Sequence, residues 1–221
     1  MNVKIKAIIG LTAAAGIVSL SACSSGSSNS DAKSGSAGAQ VTPVAKIDDL
    51  SKGKTTAVAL DAGFVKALES LKLTPGVVGT AKLEGGSVSF PITGGNVTYY
   101  TPGTKSPFVQ GDIKHEGSGL SLTAGATKVE LTNFEIDPGT SHLFGDVSVN
   151  GQSAAKHAYL FYLNGTTLKP LQAGPDNTAI LQGTTVTVSG DAAGVLNKVF
   201  KTDAVKAGLT VGIATITVQT K

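Results

Sequence analysis

From residue 44 onward, most of the chain alternates between apolar and polar residues with a period of two, which is typical of half-buried β-strands. Gly-rich and Asn-Gly turn signals separate these segments. The predicted strands are residues 55–60, 78–83, 87–92, 96–100, 108–114, 120–123, 127–131, 134–136, 142–149, 158–163, 184–189 and 211–219. Short strands at this spacing are typical of an antiparallel sandwich or barrel.

Two short segments have a helical period instead. In residues 62–72, apolar residues recur at i, i+4 and i+7 behind Asp61, a residue type that caps helix N-termini. Residues 192–200 carry a similar apolar face behind Asp191. The predicted fold class is therefore mainly β: an antiparallel β-sandwich or barrel-like domain, with two short amphipathic helices that cover an open face or end.

The beginning of the chain follows neither pattern. Residues 1–6 carry two lysines and no acid, and residues 7–20 are uncharged and mostly apolar. A run of about 14 residues is too short to span a bilayer, but it is typical of a secretory signal peptide. The run ends in LSAC (20–23), which resembles the lipobox of bacterial lipoproteins and contains the only cysteine of the chain. The alternative is an ordinary secretory leader with an incidental cysteine.

The lipobox resemblance implies that the leader is cut before Cys23 and that the Cys23 thiol carries diacylglycerol. The next segment, SSGSSNSDAKSGSAGAQ (24–40), has no aromatic or branched aliphatic residue and is expected to be a flexible tether. The predicted organisation is a signal peptide over 1–22, a lipidated cysteine and tether over 23–43, and a single β-rich domain over 44–221. This organisation places the domain on the extracytoplasmic face of the cell membrane, as in Gram-positive lipoproteins.

Charge and composition exclude some partners. The chain has 221 residues, and all of its 18 basic residues are lysines, against 15 acids. Without residues 1–23, which contain Lys4 and Lys6, 16 lysines remain and the net charge is about +1. A near-neutral chain without arginine is poorly suited to nucleic acid, which is bound through clustered positive charge. The single cysteine also excludes a disulfide framework.

The sequence contains no recognisable catalytic motif, so we predict that the protein is not an enzyme and has no catalytic residue. Its histidines, His115, His142 and His157, are too far apart for a helical metal pair. Glu135 and Asp137 are spaced like a glycosidase pair, but nothing else supports that activity, and a solvated strand edge is the simpler interpretation.

A few residues remain as weak candidates for ligand binding. His115 lies in a predicted turn, where a solvated position is the simplest interpretation and a role as ligand or acid–base group is the alternative. In the doublet Tyr99-Tyr100, one ring is expected in the core and one outside, where it would suit a flat ligand, a sugar or a partner protein. Strict alternation also predicts that Tyr159, Phe161 and Leu163 share one face, opposite Leu160 and Tyr162.

Five segments occur in an order that is known from one family: GFVKAL (63–68), GGSVSFPITGGNVTYY (85–100), GDIKHEGSGLSLTAGATKVELTNFEID (111–137), LFGDVSV (143–149) and TTVTVSGDAAGVLNKVF (184–200). Over about 140 residues, this layout resembles the HtaA-type domain of actinobacterial surface haem-uptake proteins. In that family a tyrosine in the first helix, after a Ser-x-Arg-type motif, binds the haem iron. A histidine in the turn before a Leu-x-Leu strand supports the site.

The resemblance implies haem as a possible cofactor, but the chain departs from the family. The first-helix region, GFVKAL, has neither tyrosine nor arginine, whereas His115 stands at the position of the supporting histidine. The resemblance implies that His115 is a weak candidate for the iron site, with Tyr99 or Tyr100 near it. Lys66 or Lys105 would pair with a propionate.

The sequence therefore leaves three functions open. The first is a non-catalytic, membrane-anchored module that binds a small ligand or a surface protein, or acts structurally. The second is a haem-binding surface protein of HtaA type, and the third is a carrier of an acyl or glycolipid ligand. Membrane contact is expected through Cys23 alone.

Overall fold

The computed structural model describes residues 41–220, and β-strands dominate this part of the chain. The strands are β1 (Ala45–Ile47), β2 (Thr55–Leu60), β3 (Thr74–Gly79), β4 (Lys82–Glu84), β5 (Ser87–Pro91), β6 (Gly94–Tyr99), β7 (Val109–Ala124), β8 (Thr127–Asp137), β9 (His142–Val149), β10 (Gln152–Asn164), β11 (Gln172–Gly174), β12 (Thr178–Val188) and β13 (Thr210–Gln219). Two α-helices, α1 (Ala62–Ser70) and α2 (Gly190–Phe200), interrupt them.

All of these strands belong to one antiparallel sheet. Its order is β1-β6-β7-β8-β9-β10-β12-β13-β2-β5-β4, with β3 paired to β7 and β11 paired to β12. The sheet curls until the chain after β5 reaches β7, where the Thr93 N–H donates to the Lys114 carbonyl at 2.8 Å. The prediction of a mainly β, barrel-like domain with two short helices is confirmed.

A row of irregularities crosses the middle of the sheet. β7, β8 and β10 each contain a bulge with a residue in the left-handed region: Gly117 (φ 71°), Asn133 (φ 54°) and His157 (φ 45°). Asn133 Oδ1 accepts from the Gly117 N–H at 3.0 Å, and Asp146 on β9 accepts from Asn133 Nδ2 at 3.0 Å and from the His157 N–H at 3.1 Å. We call these four residues the bulge row. Bulges bend strands and increase their twist, so the row helps the sheet to curl.

The helices begin where short polar side chains cap them. Asp61 Oδ1 accepts from the Gly63 N–H at 2.8 Å at the start of α1, as predicted. At the start of α2, the Ser189 hydroxyl accepts from the Ala192 N–H at 3.0 Å. The predicted cap Asp191 lies instead in the first turn, where its charge suits the positive end of the helix dipole.

The core lies between the concave side of the sheet and the two helices. Leu68 of α1 and Leu196 of α2 are buried there together with residues of the long strands. Within residues 41–220, neither helix is long and apolar enough to cross a membrane.

The structure corrects two predictions that assumed unbroken alternation. Residues 116–119, predicted as a turn, belong to β7, which continues through the bulge at Gly117 to Ala124. In β10, the predicted alternation holds for Phe161, Tyr162 and Leu163 but is wrong before them, because Leu160 is buried together with Phe161. A register shift between Tyr159 and Phe161 is the reason, because it turns two consecutive side chains inward.

Candidate functional site

The most unusual polar residue of the interior is His115. It lies on β7 beside the bulge, pairs with Phe134 of β8, and is 1% exposed, so the predicted solvated position is wrong. The interpretation as a turn failed because the glycines at 117 and 119 serve a bulge and a close strand approach instead. A Cβ at position 119 would lie 2.1 Å from the Leu131 carbonyl oxygen.

Only one of the two ring nitrogens of His115 has a side-chain hydrogen-bond partner. Its Nε2 lies 2.8 Å from the Thr56 hydroxyl of β2, and the ring of Phe90 approaches it edge-on, with the centroids 6.3 Å apart. Nδ1 is buried and makes no hydrogen bond of ordinary geometry within the described residues. Burial lowers the pKa of His115 from 6.5 to about 4, while the Phe134 backbone opposes part of this shift. The ring is therefore neutral at physiological pH.

Two adjoining cavities occupy the interior around this histidine. His115 and Thr56 line the first, which leaves about 40 Å³ for the centres of water-sized molecules. The second lies beneath α1 and α2 and leaves about 60 Å³. The cavities have a common wall formed by Leu60, Val88, Leu120, Phe161 and Val211. Nearly all other lining residues are apolar, so the space suits an apolar ligand.

The other predicted ligand residues are not brought to His115. Tyr99 is buried at the end of β6 against Phe108, opposite Val109, six residues along β7 from His115, or roughly 20 Å. The Lys105 ammonium lies 4.9 Å from the centre of the Tyr100 ring in the following loop. Lys66 is exposed on α1 and lines neither cavity. The predicted lipidation site, Cys23, lies outside the described residues.

Sequence reasoning missed a second group of residues, on the convex side of the sheet. His142 and Phe144 of β9 pack against His157 and Tyr159 of β10; we call these four residues the ring cluster. The alternation of His142 and Phe144 was a signal for one outward face, but only the register of β9 with β10 shows which rings meet. No group of three or more metal-ligating side chains occurs within residues 41–220.

A curled antiparallel sheet, two covering helices and an apolar interior with one buried neutral histidine define the class: a curled-sheet domain with two small, mostly apolar cavities inside it. Among solved structures, the chain is similar to the C-terminal domain of HtaA from Corynebacterium glutamicum, with a TM-score of 0.50 at 14% identity over 78% of this chain and 97% of that chain. The chain therefore has the HtaA-type fold, as the order of its segments predicted.

Two further structures from Corynebacterium glutamicum are more distantly similar. They are the heme-binding protein HtaB (TM-score 0.45, 9% identity, 80% of this chain and 96% of that chain) and a domain-swapped dimer of a histidine-to-alanine variant of the HtaA C-terminal domain (TM-score 0.44, 15% identity, 72% and 91%). No protein-family model and no curated protein matches the sequence.

Proposed function

We propose that this protein is a haem-binding surface protein of HtaA type, held to the outer face of the membrane by a lipid on Cys23, and not an enzyme. The HtaA-type fold supports the proposal. The observation that carries it is His115, a neutral and buried imidazole whose Nδ1 makes no hydrogen bond of ordinary geometry within the described residues, in a cavity whose only other polar lining side chain is Thr56.

The donor chemistry at His115 fits haem. When bound, haem would supply an iron that accepts a neutral imidazole nitrogen, and His115 would hold it. His115 stays neutral down to acidic pH, so it needs no deprotonation to act as a ligand. The rings of Phe90 and Phe134 and the aliphatic wall around them would exclude water from a porphyrin face.

The space at His115 is smaller than a porphyrin in the closed structure. Pockets for ligands of this size usually measure about 300–1,000 Å³, whereas the two cavities are far smaller. α1 covers the second cavity. Within α1, Leu68 is the only fully buried residue, so few buried contacts hold this helix in place. We therefore expect ligand entry to require displacement of α1, which makes loading slow.

Haemin titration of the purified protein tests the proposal. We expect a Soret band of bound haem that develops slowly and develops faster in mild urea, because urea promotes opening of α1. His115→Gln, which keeps a polar side chain of similar size, should abolish the slow component. Lys66→Gln, on the exposed side of the same covering helix, is the control and should leave it unchanged. A wild-type protein without any haemin-induced band contradicts the proposal.

The anchor is tested separately from the ligand. Cys23→Ala should move the protein from the membrane fraction to the medium, whereas the neighbouring Ser24→Ala should not. Two acyl chains hold a protein stably at a bilayer, so release should be nearly complete. A Cys23→Ala protein that stays with the membrane contradicts the lipid anchor and leaves the haem proposal untouched.

A second candidate, a carrier of an acyl chain, is favoured by the lining of the cavity beneath α1. Apart from Ser121, this lining offers essentially no polar side chain for a charged ligand group. Mass spectrometry of the natively purified protein should then find a co-purified lipid. Leu120 lies in the common wall of the two cavities, and replacing it by the larger Phe would fill part of the cavity space. This substitution should therefore reduce the amount of co-purified lipid.

A further inference from the structure

The ring cluster forms an aromatic surface on the side of the sheet opposite His115, in which His157 is exposed and the other three residues are half-buried. Phe144 and His157 stack with their planes 7° apart and their centroids 4.6 Å apart. His142 and Tyr159 form the second close pair, at 4.1 Å. The register places Glu135 of β8 directly opposite Phe144 on this convex face, whereas Phe134 points to the core.

His157 is the most accessible ring of this surface. Its side chain is 61% exposed, and its Nε2 lies 3.8 Å from Glu135 Oε2, beyond ordinary hydrogen-bond length. The side chain has no hydrogen bond within the described residues. Because Phe144 covers one face of the imidazole, the nitrogen-bearing edge is what remains open for a ligand.

The exposed His157 ring is presented by a backbone in an unfavourable conformation. Its φ of 45° lies in the left-handed region, which costs a non-glycine residue about 1 kcal/mol. Asp146 holds it there by accepting from the His157 N–H at 3.1 Å. Such strain persists mainly where the surrounding structure enforces it, and it concentrates at functional sites.

We propose that the ring cluster is a surface site for a ferric porphyrin, with His157 Nε2 as the iron ligand. A neutral imidazole is a good ligand for iron, and aromatic ring edges carry partial positive charge that attracts the π-face of a macrocycle. The Lys156 ammonium next to His157 donates to Asp146 at 2.9 Å, and because its side chain is 73% exposed, it could also contact a propionate carboxylate. The inference rests on the proposed function because it concerns the same ligand.

The two sites differ in access. His115 is 1% exposed in the core, whereas His157 of the ring cluster is open to solvent without any rearrangement. Haemin should therefore bind first at the ring cluster, in a fast step, and only later at His115. This arrangement gives a surface protein a place to receive a ligand before its interior opens.

Stopped-flow and equilibrium titrations of the full-length protein with haemin test the inference, with electron paramagnetic resonance to report histidine ligation. His157→Phe keeps a ring that stacks on Phe144 but removes the nitrogen. We expect it to lose the fast phase and the corresponding ligation signal, with affinity at this site falling more than about 10-fold. The control, Tyr162→Phe, alters an exposed ring of the same strand that is not one of the four cluster residues, and it should keep both. His115→Gln should retain the fast phase and lose the slow one.

The outcomes separate this inference from the proposed function. Binding that is lost in His115→Gln and unchanged in His157→Phe would overturn the surface site and leave the interior site standing. A fast phase that is lost in His157→Phe, without any binding that depends on His115, would support the surface site and overturn the interior one. Absence of haemin binding in the wild-type protein would overturn both.

Discussion

The buried histidine predicts a specific loss of stability in acid. Burial lowers the pKa of His115 from 6.5 to about 4, so the unfolded chain takes up this proton before the folded protein does. The stabilisation that comes from keeping the ring neutral is fully present above about pH 6.5. It is lost progressively as the pH falls towards 4. The full effect of such a pKa difference is roughly 3 kcal/mol.

Most of this effect falls in a window in which ordinary carboxylates do not titrate. Between pH 7 and pH 5, linkage gives a loss of about 2 kcal/mol from His115 alone. For a domain of this size, that corresponds to a fall in Tm of roughly 5 °C. Urea unfolding at both pH values measures it directly. In His115→Gln, the difference between the two pH values should shrink by this amount, because glutamine does not titrate.

The control for this experiment is His157→Gln, in which an exposed histidine receives the same substitution. It should keep the wild-type loss of stability between pH 7 and pH 5. If His115→Gln shows the same pH dependence as the wild-type protein, the imidazole is not buried and neutral in the native state. The reasoning about the interior site would then fail with it.

Three further predictions concern the framework of the sheet and of α2. Asp146→Asn should cost about 1–2 kcal/mol of unfolding free energy, because the charged acceptor that joins two bulges is lost. Gly119→Ala should cost about 3 kcal/mol or prevent folding, because its Cβ would collide with the Leu131 carbonyl oxygen, whereas Gly94→Ala, with open space around it, should change stability by less than about 0.5 kcal/mol. Ser189→Ala should cost about 1–2 kcal/mol through loss of the α2 cap.

Urea unfolding at pH 7 measures all three effects. An Asp146→Asn protein of wild-type stability would show that the bulge row does not depend on this carboxylate. Equal effects of the two glycine substitutions would contradict the close strand approach at position 119. A Ser189→Ala protein with unchanged stability would mean that another group caps α2.

Much of the domain could be predicted from local pattern. Alternation with a period of two, turn signals and two short apolar stripes gave the right class of fold and the approximate place of both helices. The cap at Asp61 was also predictable, because capping depends on a side chain and backbone groups only two and three residues away. The order of segments additionally predicted the HtaA-type fold that the structural comparison confirms.

The candidate sites were harder to predict. Residues 116–119 have the composition of a turn, and only their pairing with β8, including the hydrogen bond from the Gly117 N–H to Asn133, makes them part of a continuous strand. That pairing decides whether His115 is exposed or buried. A register shift in β10 likewise decides that Tyr159 faces outward.

The amino-acid sequence by itself determined the strand-rich character of the domain, its two helices and the near neutrality that disfavours nucleic acid, because these follow from neighbouring residues and from composition. The tertiary structure alone decided that a histidine from β7 meets a threonine from β2, and that rings from β9 and β10 form one surface. The physical reason is that a bulge shifts every later side chain of a strand to the other face. Whether a bulge forms depends on hydrogen bonds to strands that are distant in sequence.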